Sequence, residues 1–276
     1  MIRALFLLAA LTISVDGPAD SAPEWEARVT TLAGQVERAM GFTYDGAIRV
    51  ELAPTDADFR RRAPRAPAWA AAIARPRAAT LVVRLPATGP ATGTDVTSVL
   101  RHELVHLMLP QRLGGHERVP LWFEEGLCQV LGARILPVST ARLKMAAAAG
   151  RLFPFSALSR QFPDGRAPAS LAYAQSESVV ERLVATGGIE RLRVLLDRIE
   201  ETGSFEGALA DVYGVTTGEL EAAWRTWLLE KGRPWWLEAI LSNLVAVLLF
   251  TASILVILAW LRARRRGRET YESLPE

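Results

Sequence analysis

Two histidines, His102 and His106, stand in a pattern that is suited to metal chemistry. On a helix, residues four apart lie on the same face, so both imidazole rings can reach one ion. Glu103 sits beside His102, where its carboxylate can reach a metal-bound water without binding the metal itself. The segment HELVH therefore predicts a site at which a divalent ion and a glutamate base activate a water molecule.

A catalytic zinc ion usually takes three protein ligands and leaves its fourth position open, so one more ligand is needed. Glu125, in the segment WFEEGL, can supply it, and the stretch between Pro110 and Pro120 gives the chain room to reverse direction. Other divalent ions also accept two imidazoles and a carboxylate, but zinc is the usual occupant. The sequence therefore predicts Zn²⁺ as the cofactor, bound by His102, His106 and Glu125.

An HExxH pattern also arises by chance in ordinary amphipathic helices. Here, however, the neighbouring residues make the helix apolar on nearly every side, which is typical of a helix buried in a domain core. Two histidines and a glutamate in such a helix are costly unless they are paired or bound to an ion. The metal site is therefore favoured over chance; the apolar neighbours are Val99, Leu100, Leu104, Val105, Leu107 and Met108.

These segments resemble the gluzincin branch of the zincin metallopeptidases, in which HExxH is followed at a distance by a ligand glutamate. PLWFEEGL is similar to the second metal helix of that branch, where a tryptophan precedes the ligand and a glycine follows it. More narrowly, the chain resembles the compact peptidase MA-like domains of bacterial envelopes. The resemblance implies a zinc metallopeptidase in which His102, His106 and Glu125 bind the ion. It also implies that Glu103 is the general base.

Four further residues are candidates for the same site. Tyr173 resembles a tyrosine that relatives place on a later helix to stabilise the oxyanion, although a tyrosine in an apolar helix is commonly a core residue. Tyr213, just before a turn, is a weaker candidate for that role. His116 is an alternative metal ligand, but its glycine-rich loop favours a solvated histidine. Cys128 is the only cysteine, so no intramolecular disulfide is possible, and a buried thiol is favoured over a fourth ligand or an inhibitory group.

The expected fold class is α+β, a zincin-like metallopeptidase domain with a small mixed sheet, two metal-binding helices and a helical C-terminal half. Apolar periodicity predicts a helix over residues 24–40. Short strands are predicted over 48–52 and 80–86. The resemblance makes 81–85 the sheet edge that pairs with an extended substrate. Residues 60–76, rich in arginine, proline and alanine, are predicted to be a loop that borders the cleft.

The C-terminal half is predicted to be helical from about residue 141. Two apolar helical segments flank Gly187 and Gly188. Thr216 and Glu219 have the spacing of a capping box, which predicts a last helix that runs to about residue 230.

Both ends of the chain predict a location at the cell membrane. Residues 1–22 have the length and charge of a signal peptide with an uncertain cleavage site, or of an uncleaved anchor, and 23–233 would form the peptidase domain. Residues 239–261 contain no charged side chain and are predicted to be a transmembrane helix. The arginine-rich tail over 262–276 is then cytoplasmic by the positive-inside rule, and the catalytic domain lies outside the cytoplasm.

The charge of the chain indicates its class of partner. The formal net charge is +2, and without Arg3 and the tail over 262–276, which carry +1 and +2, the remainder is about −1. A nearly neutral domain argues against nucleic acid and leaves a peptide or protein substrate at the cell envelope as the expected partner, together with the membrane. The alternative is a non-catalytic binding or assembly module with a peptidase fold. The intact base Glu103 favours the enzyme.

Overall fold

The computed structural model of the chain describes residues 11–87, 95–115, 119–133, 135, 140–230, 243–244, 246 and 248–260. A small sheet and three helices form the first half of the fold, and a helical half follows. The strands are β1 (Thr12–Asp16), β2 (Ala47–Ala53), β3 (Ala72–Arg75) and β4 (Thr80–Arg84). The helices are α1 (Ala22–Met40), α2 (Asp56–Arg62), α3 (Val96–Arg112), α4 (Leu121–Leu127), α5 (Thr140–Ala148), α6 (Phe155–Leu158), α7 (Arg166–Thr202), α8 (Phe205–Tyr213) and α9 (Thr217–Glu230).

The sheet is mixed, with the strand order β1-β2-β4-β3. Strands β1, β2 and β4 run parallel, and β3 is antiparallel to β4, with Ala74 opposite Leu81. The prediction that 81–85 forms the sheet edge is wrong, because β4 is paired on both sides. Its buried run Thr80–Val83 is typical of an interior strand. Strand β3 is the edge on that side of the sheet.

The prediction that residues 60–76 form a loop is wrong in part, because this segment contains the end of α2 and all of β3. Helix α2 begins where the side chain of Thr55 accepts a hydrogen bond from the amide of Asp58. Strand β3 has the sequence AIAR, whose alanines have little strand propensity. The extended conformation of β3 therefore depends on its pairing with β4, and the local sequence does not predict it.

Helices α1 and α3 pack on the sheet and on each other. The helix predicted over 24–40 is confirmed as α1, which buries an apolar stripe that includes Val29, Val36 and Met40. Alternate residues of β4 face opposite sides: Leu81 and Val83 join the main core, whereas Val82 belongs to a small cluster with Phe59 of α2. Helix α3 is therefore held firmly beside β3, which positions the histidine pair.

The helical half is built around α7, which is kinked at Gly188, where φ is 76°. Helix α4 packs against α7, and an aromatic cluster fixes it from another side. In that cluster Trp122 stacks on Phe155 at 4.6 Å, and Phe155 lies 5.7 Å from Trp224 of α9. The predicted capping box is present, since the amide of Thr216 donates to Glu219 at 2.8 Å and the amide of Glu219 donates to the Thr216 hydroxyl.

The prediction of a transmembrane helix over 239–261 is wrong, because no helix among the described residues is both long enough and apolar enough to cross a membrane.

The predicted signal peptide lies only partly within the described residues, since 1–10 are outside them. Residues 12–16 form β1, which pairs with β2 in the register Val15 opposite Val50. The predicted tail over 262–276 also lies outside the described residues. The domain boundaries and the location of the chain stay predictions.

Candidate metal centre and active site

The histidine pair lies on the buried face of α3. Asp95 caps this helix by accepting a hydrogen bond from the amide of Thr97. One helical turn separates His102 from His106, and the centroids of their rings are 5.0 Å apart. His102 is 1% exposed, so its ring has left water almost completely and needs polar partners.

Helix α4 brings Glu125 to the two histidines. Glu125 Oε2 lies 3.4 Å from His102 Nε2 and 3.3 Å from His106 Nε2. The next residue, Gly126, lets α4 approach α7, because a Cβ there would lie 2.5 Å from the carbonyl oxygen of Ser176. The tryptophan, glutamate and glycine of this segment therefore have separate tasks: Trp122 anchors the helix, Glu125 faces the histidines and Gly126 permits the close contact.

The three side chains fit a zinc ion. Two ligands that are each about 2.0–2.1 Å from a tetrahedral ion lie about 3.3–3.4 Å from each other. The separations between Glu125 and the two Nε2 atoms have this size. Glu125 Oε2 is also buried without a hydrogen-bond partner among the described residues, which is costly unless something else binds it. The donor set and the unpaired oxygen together match a metal centre.

Both histidines are oriented through their other ring nitrogen. His106 Nδ1 lies 2.8 Å from Glu124 Oε1, and His102 Nδ1 lies 3.3 Å from the carbonyl oxygen of Ala133. When an ion is bound, each ring would keep its proton on Nδ1, donate it to that oxygen and turn its unprotonated Nε2 towards the ion. Sequence reasoning gave Glu124 no role; its position next to Glu125 was the only available signal.

The charge of Glu125 suits a ligand. Burial by itself would raise the pKa of this carboxyl, but His106 and His102 beside it lower the pKa to about 2. The side chain is therefore ionised at neutral pH, as a metal ligand must be.

Glu103 is held by the edge strand. Its Oε2 accepts a hydrogen bond of 2.7 Å from the backbone amide of Ala74 in β3. Burial raises the pKa of Glu103 above 4.5, although the charges of His106 and His102 act in the opposite direction. A carboxylate with a raised pKa, fixed next to the histidine pair, has the position and the basicity of a general base.

Tyr173 lies at the same site, on α7. Its hydroxyl is 3.5 Å from Glu125 Oε1, and Phe162 packs on its ring at 5.0 Å. Burial, and then the negative charge of Glu125, raises the pKa of Tyr173, so the phenol keeps its proton and can donate it in a hydrogen bond. Tyr213 lies elsewhere, with its hydroxyl 3.4 Å from the carbonyl oxygen of Leu183.

Cys128 is buried as a free thiol at the start of a π-helical turn, Cys128–Gly132, that continues α4. Its sulfur and one nitrogen from each of His102 and His106 lie within 4.8 Å of one another, so a ligand set with Cys128 in place of Glu125 is also conceivable in space. Burial raises the pKa of this thiol to about 12 in the metal-free chain. Glu125 Oε2 lies 3.4 and 3.3 Å from the two Nε2 atoms and has no hydrogen-bond partner among the described residues, and this geometry favours Glu125 for the third position. His116 lies outside the described residues.

A cavity of about 550 Å³ opens onto these groups. It is lined by Glu103 and the histidine pair, by Ala70–Ala74 at and before β3, and by Trp69, Tyr173 and Arg166. This size is in the range of pockets that hold small ligands or a few residues of a peptide. Sequence reasoning missed Trp69 and Arg166, because nothing local connects residue 69 or 166 with residue 102.

The fold and site define a class of protein in which HExxH and a later glutamate meet beside an antiparallel edge strand. The model of the Peptidase MA superfamily matches residues 47–230, about two thirds of the chain. The chain therefore belongs to the Peptidase MA superfamily, which confirms the predicted resemblance to a peptidase MA-like domain of the gluzincin type. No curated protein matches the chain.

Proposed function

We propose that the chain is a zinc-dependent metallopeptidase that hydrolyses peptide bonds. The observation that carries this proposal is the convergence of His102 Nε2, His106 Nε2 and Glu125 Oε2 at separations that suit zinc, with that glutamate oxygen otherwise unpaired. Members of this family are typically zinc-dependent. The presence of a buried glutamate base beside these atoms supports a catalytic rather than a purely structural ion.

The chain's own residues divide the remaining work. Zinc bound at this site would lower the pKa of a water towards about 7 and polarise the scissile carbonyl. Glu103, fixed by the amide of Ala74, takes a proton from the attacking water and passes it to the leaving amine. Tyr173 keeps its own proton and donates a hydrogen bond to the carbonyl oxygen as negative charge develops there.

The edge strand β3 supplies a place for the peptide backbone. Because backbone groups in a strand alternate sides every residue, Ala72 aims its amide and carbonyl in the same direction as Ala74, away from β4. Both residues line the cavity. The amide of Ala74 is donated to Glu103, so an extended peptide that adds to β3 as a further strand can be held through the main chain of Ala72. The edge strand therefore supports a peptide or protein as the substrate. The location of that substrate at the cell envelope stays a prediction.

Metal analysis of the full chain tests the proposal. About one zinc per wild-type chain is expected, and Glu125→Ala should lose most of it, because two imidazoles alone hold zinc weakly. Cys128→Ala is the matched variant from the same segment and should keep its zinc. Loss of zinc in Cys128→Ala but not in Glu125→Ala would overturn the ligand assignment.

Turnover is tested on the zinc-loaded chain with a mixture of random peptides, read by mass spectrometry. New peptide ends should appear with the wild type and be absent with Glu103→Gln, which keeps the three ligands. A wild type that binds zinc but cuts no peptide would reject the enzyme and leave the alternative, a non-catalytic binding or assembly module.

A further inference from the structure

Arg166 has a position in the cavity that the proposed reaction does not use. It is the first residue of α7, its side chain is exposed, and it lines the same cavity as the metal site. Among the described residues that line this cavity, Arg166 is the only lysine or arginine. A permanently charged group at the rim of an active-site cavity acts on whatever enters it.

The guanidinium of Arg166 pairs with no described residue by a hydrogen bond or an ion pair, and the side chain is exposed. By contrast, some half-buried arginines hold a carboxylate, such as Arg84 with Asp56 and Arg225 with Glu221.

The acidic residues of the cavity cannot neutralise Arg166, because each is engaged elsewhere. Glu103 accepts from the amide of Ala74, Glu124 faces His106, and Glu125 faces both histidines. Among the described residues that line the cavity, the carboxylates are therefore engaged around the metal site, and Arg166 has no carboxylate partner.

The spacing along α7 sets the distance between that charge and the reaction. Arg166 and Tyr173 are seven residues apart, which is two helical turns and about 10 Å along the axis. Both line the cavity, and the Tyr173 hydroxyl, 3.5 Å from Glu125, marks the reacting centre. Since an extended peptide advances about 3.3 Å per residue, a group bound by Arg166 lies about two to four residues from the scissile bond.

We propose that Arg166 is a specificity residue that binds a substrate carboxylate two to four residues from the scissile bond. This inference rests on the proposed peptidase function and adds the substrate class to it. A guanidinium pairs with a carboxylate through two parallel hydrogen bonds, a geometry that few other groups of an unmodified peptide offer. The positive end of the α7 dipole has the same sign and adds to the attraction. The carboxylate comes from an aspartate or glutamate side chain or from the C-terminus of the peptide.

The test compares matched peptides within each variant of the full, zinc-loaded chain. The parent is the best-cut neutral peptide from the mixture, with glutamate or glutamine placed at each of four positions on either side of the cut. A second pair differs only in a free or an amidated C-terminus. The readout is the ratio of kcat/KM for the charged and the neutral member of each pair. Because it is a ratio, a variant with lower overall activity is still informative.

The wild type should prefer the charged member by about fivefold at one position, the size of a well-placed exposed ion pair. A preference at an internal position identifies an acidic side chain; a preference in the second pair identifies the C-terminus. Arg166→Ala should bring the ratio of kcat/KM to about one, and Arg166→Lys should keep part of the preference. Arg166→Glu should lose the preference for glutamate and should instead prefer a peptide with lysine at the same position. Arg160→Ala, an exposed arginine outside the cavity lining, should keep the wild-type ratio.

Two results would overturn the inference alone: a wild type with no preference in any pair, or an unchanged preference in Arg166→Ala. Both leave peptide cleavage intact, so the proposed function would stand. A zinc-loaded wild type that cuts neither charged nor neutral peptides would reject the proposed function and this inference with it.

Discussion

At the scale of single residues, Glu103 shows a conflict between stability and function. Its carboxylate is 7% exposed and accepts one backbone hydrogen bond, from Ala74. Burial raises its pKa above 4.5, which means that the folded protein holds the protonated form more tightly than the unfolded chain does. The ionised form that catalysis needs is therefore the less stable form of the folded protein.

The substitution Glu103→Gln separates these two effects. The amide oxygen of glutamine can still accept from Ala74, but it cannot take a proton, so kcat should fall by about 10²–10⁴-fold. Removal of the buried charge should leave the metal-free variant at least as stable as the wild type at pH 7, by thermal unfolding. A variant that keeps more than a tenth of the wild-type rate would show that Glu103 is not the base.

The pH dependence of the wild type follows from the same pKa. Activity needs the ionised carboxylate of Glu103, so kcat/KM should fall as the pH drops through its pKa, which burial places above 4.5. The metal-free protein should respond in the opposite sense: a raised carboxyl pKa contributes stability at low pH that is lost as the pH rises through it. The acidic decline of kcat/KM, measured on the zinc-loaded chain, checks the sign. An activity that increases towards acid would contradict this role for Glu103.

Glu124 should matter for zinc affinity although it is not a ligand. Its Oε1 lies 2.8 Å from His106 Nδ1 and fixes which nitrogen of the ring is free. Loss of such a partner typically weakens metal binding by about 10–100-fold, and Glu124→Ala should do so. Glu26→Ala, at an exposed position of α1, is the control and should bind zinc like the wild type. Competition with a chromophoric chelator measures both; equal affinities would remove Glu124 from the site.

At the scale of elements, the features that could be predicted are those whose sequence pattern lies within a single helix or strand. The helical spacing of His102 and His106 and the apolar stripe of α1 each lie within one element, and each is present. Strand β3 was missed, because two of its four residues are alanine and its conformation depends on pairing with β4. Glu124 was missed for a similar reason: its partner becomes a neighbour only when α4 docks beside α3.

The contact between α4 and α7 is the element-scale feature most sensitive to change. A Cβ at Gly126 would lie 2.5 Å from the Ser176 carbonyl oxygen and 2.6 Å from Val180, both on α7. Gly126→Ala should therefore push α4 away, displace the adjacent Glu125, and cost about 1–3 kcal/mol of unfolding free energy, as overpacking does. Zinc stoichiometry should fall as well.

Gly218→Ala is the matched control for that substitution. Gly218 lies in α9, where a Cβ would meet nothing within 4 Å, and alanine has the higher helix propensity. This variant should be as stable as the wild type or slightly more stable, with normal zinc content. If Gly126→Ala behaves the same way under urea denaturation, the close contact is not what positions Glu125.

At the scale of the whole molecule, the metal site lies where the two halves of the fold meet. His102 and His106 belong to α3, which packs on the sheet, whereas Glu125 belongs to α4, which packs on α7. An ion bound by all three crosslinks these halves. A ligand that binds only the folded protein stabilises it by an amount that grows with its concentration, about 2.7 kcal/mol at one hundred times its Kd.

Removal of zinc should therefore lower the thermal stability of the whole domain. A strong chelator should decrease the Tm of the wild type by several degrees, in a single transition, because sheet and helices share one core. The Tm of Glu125→Ala should be low already and insensitive to the chelator, since its site no longer joins α3 to α4. If the chelator lowers the Tm of both proteins equally, zinc stabilises the fold from some other place. If only the helical half melts, the two halves are independent, and the ion does not connect them.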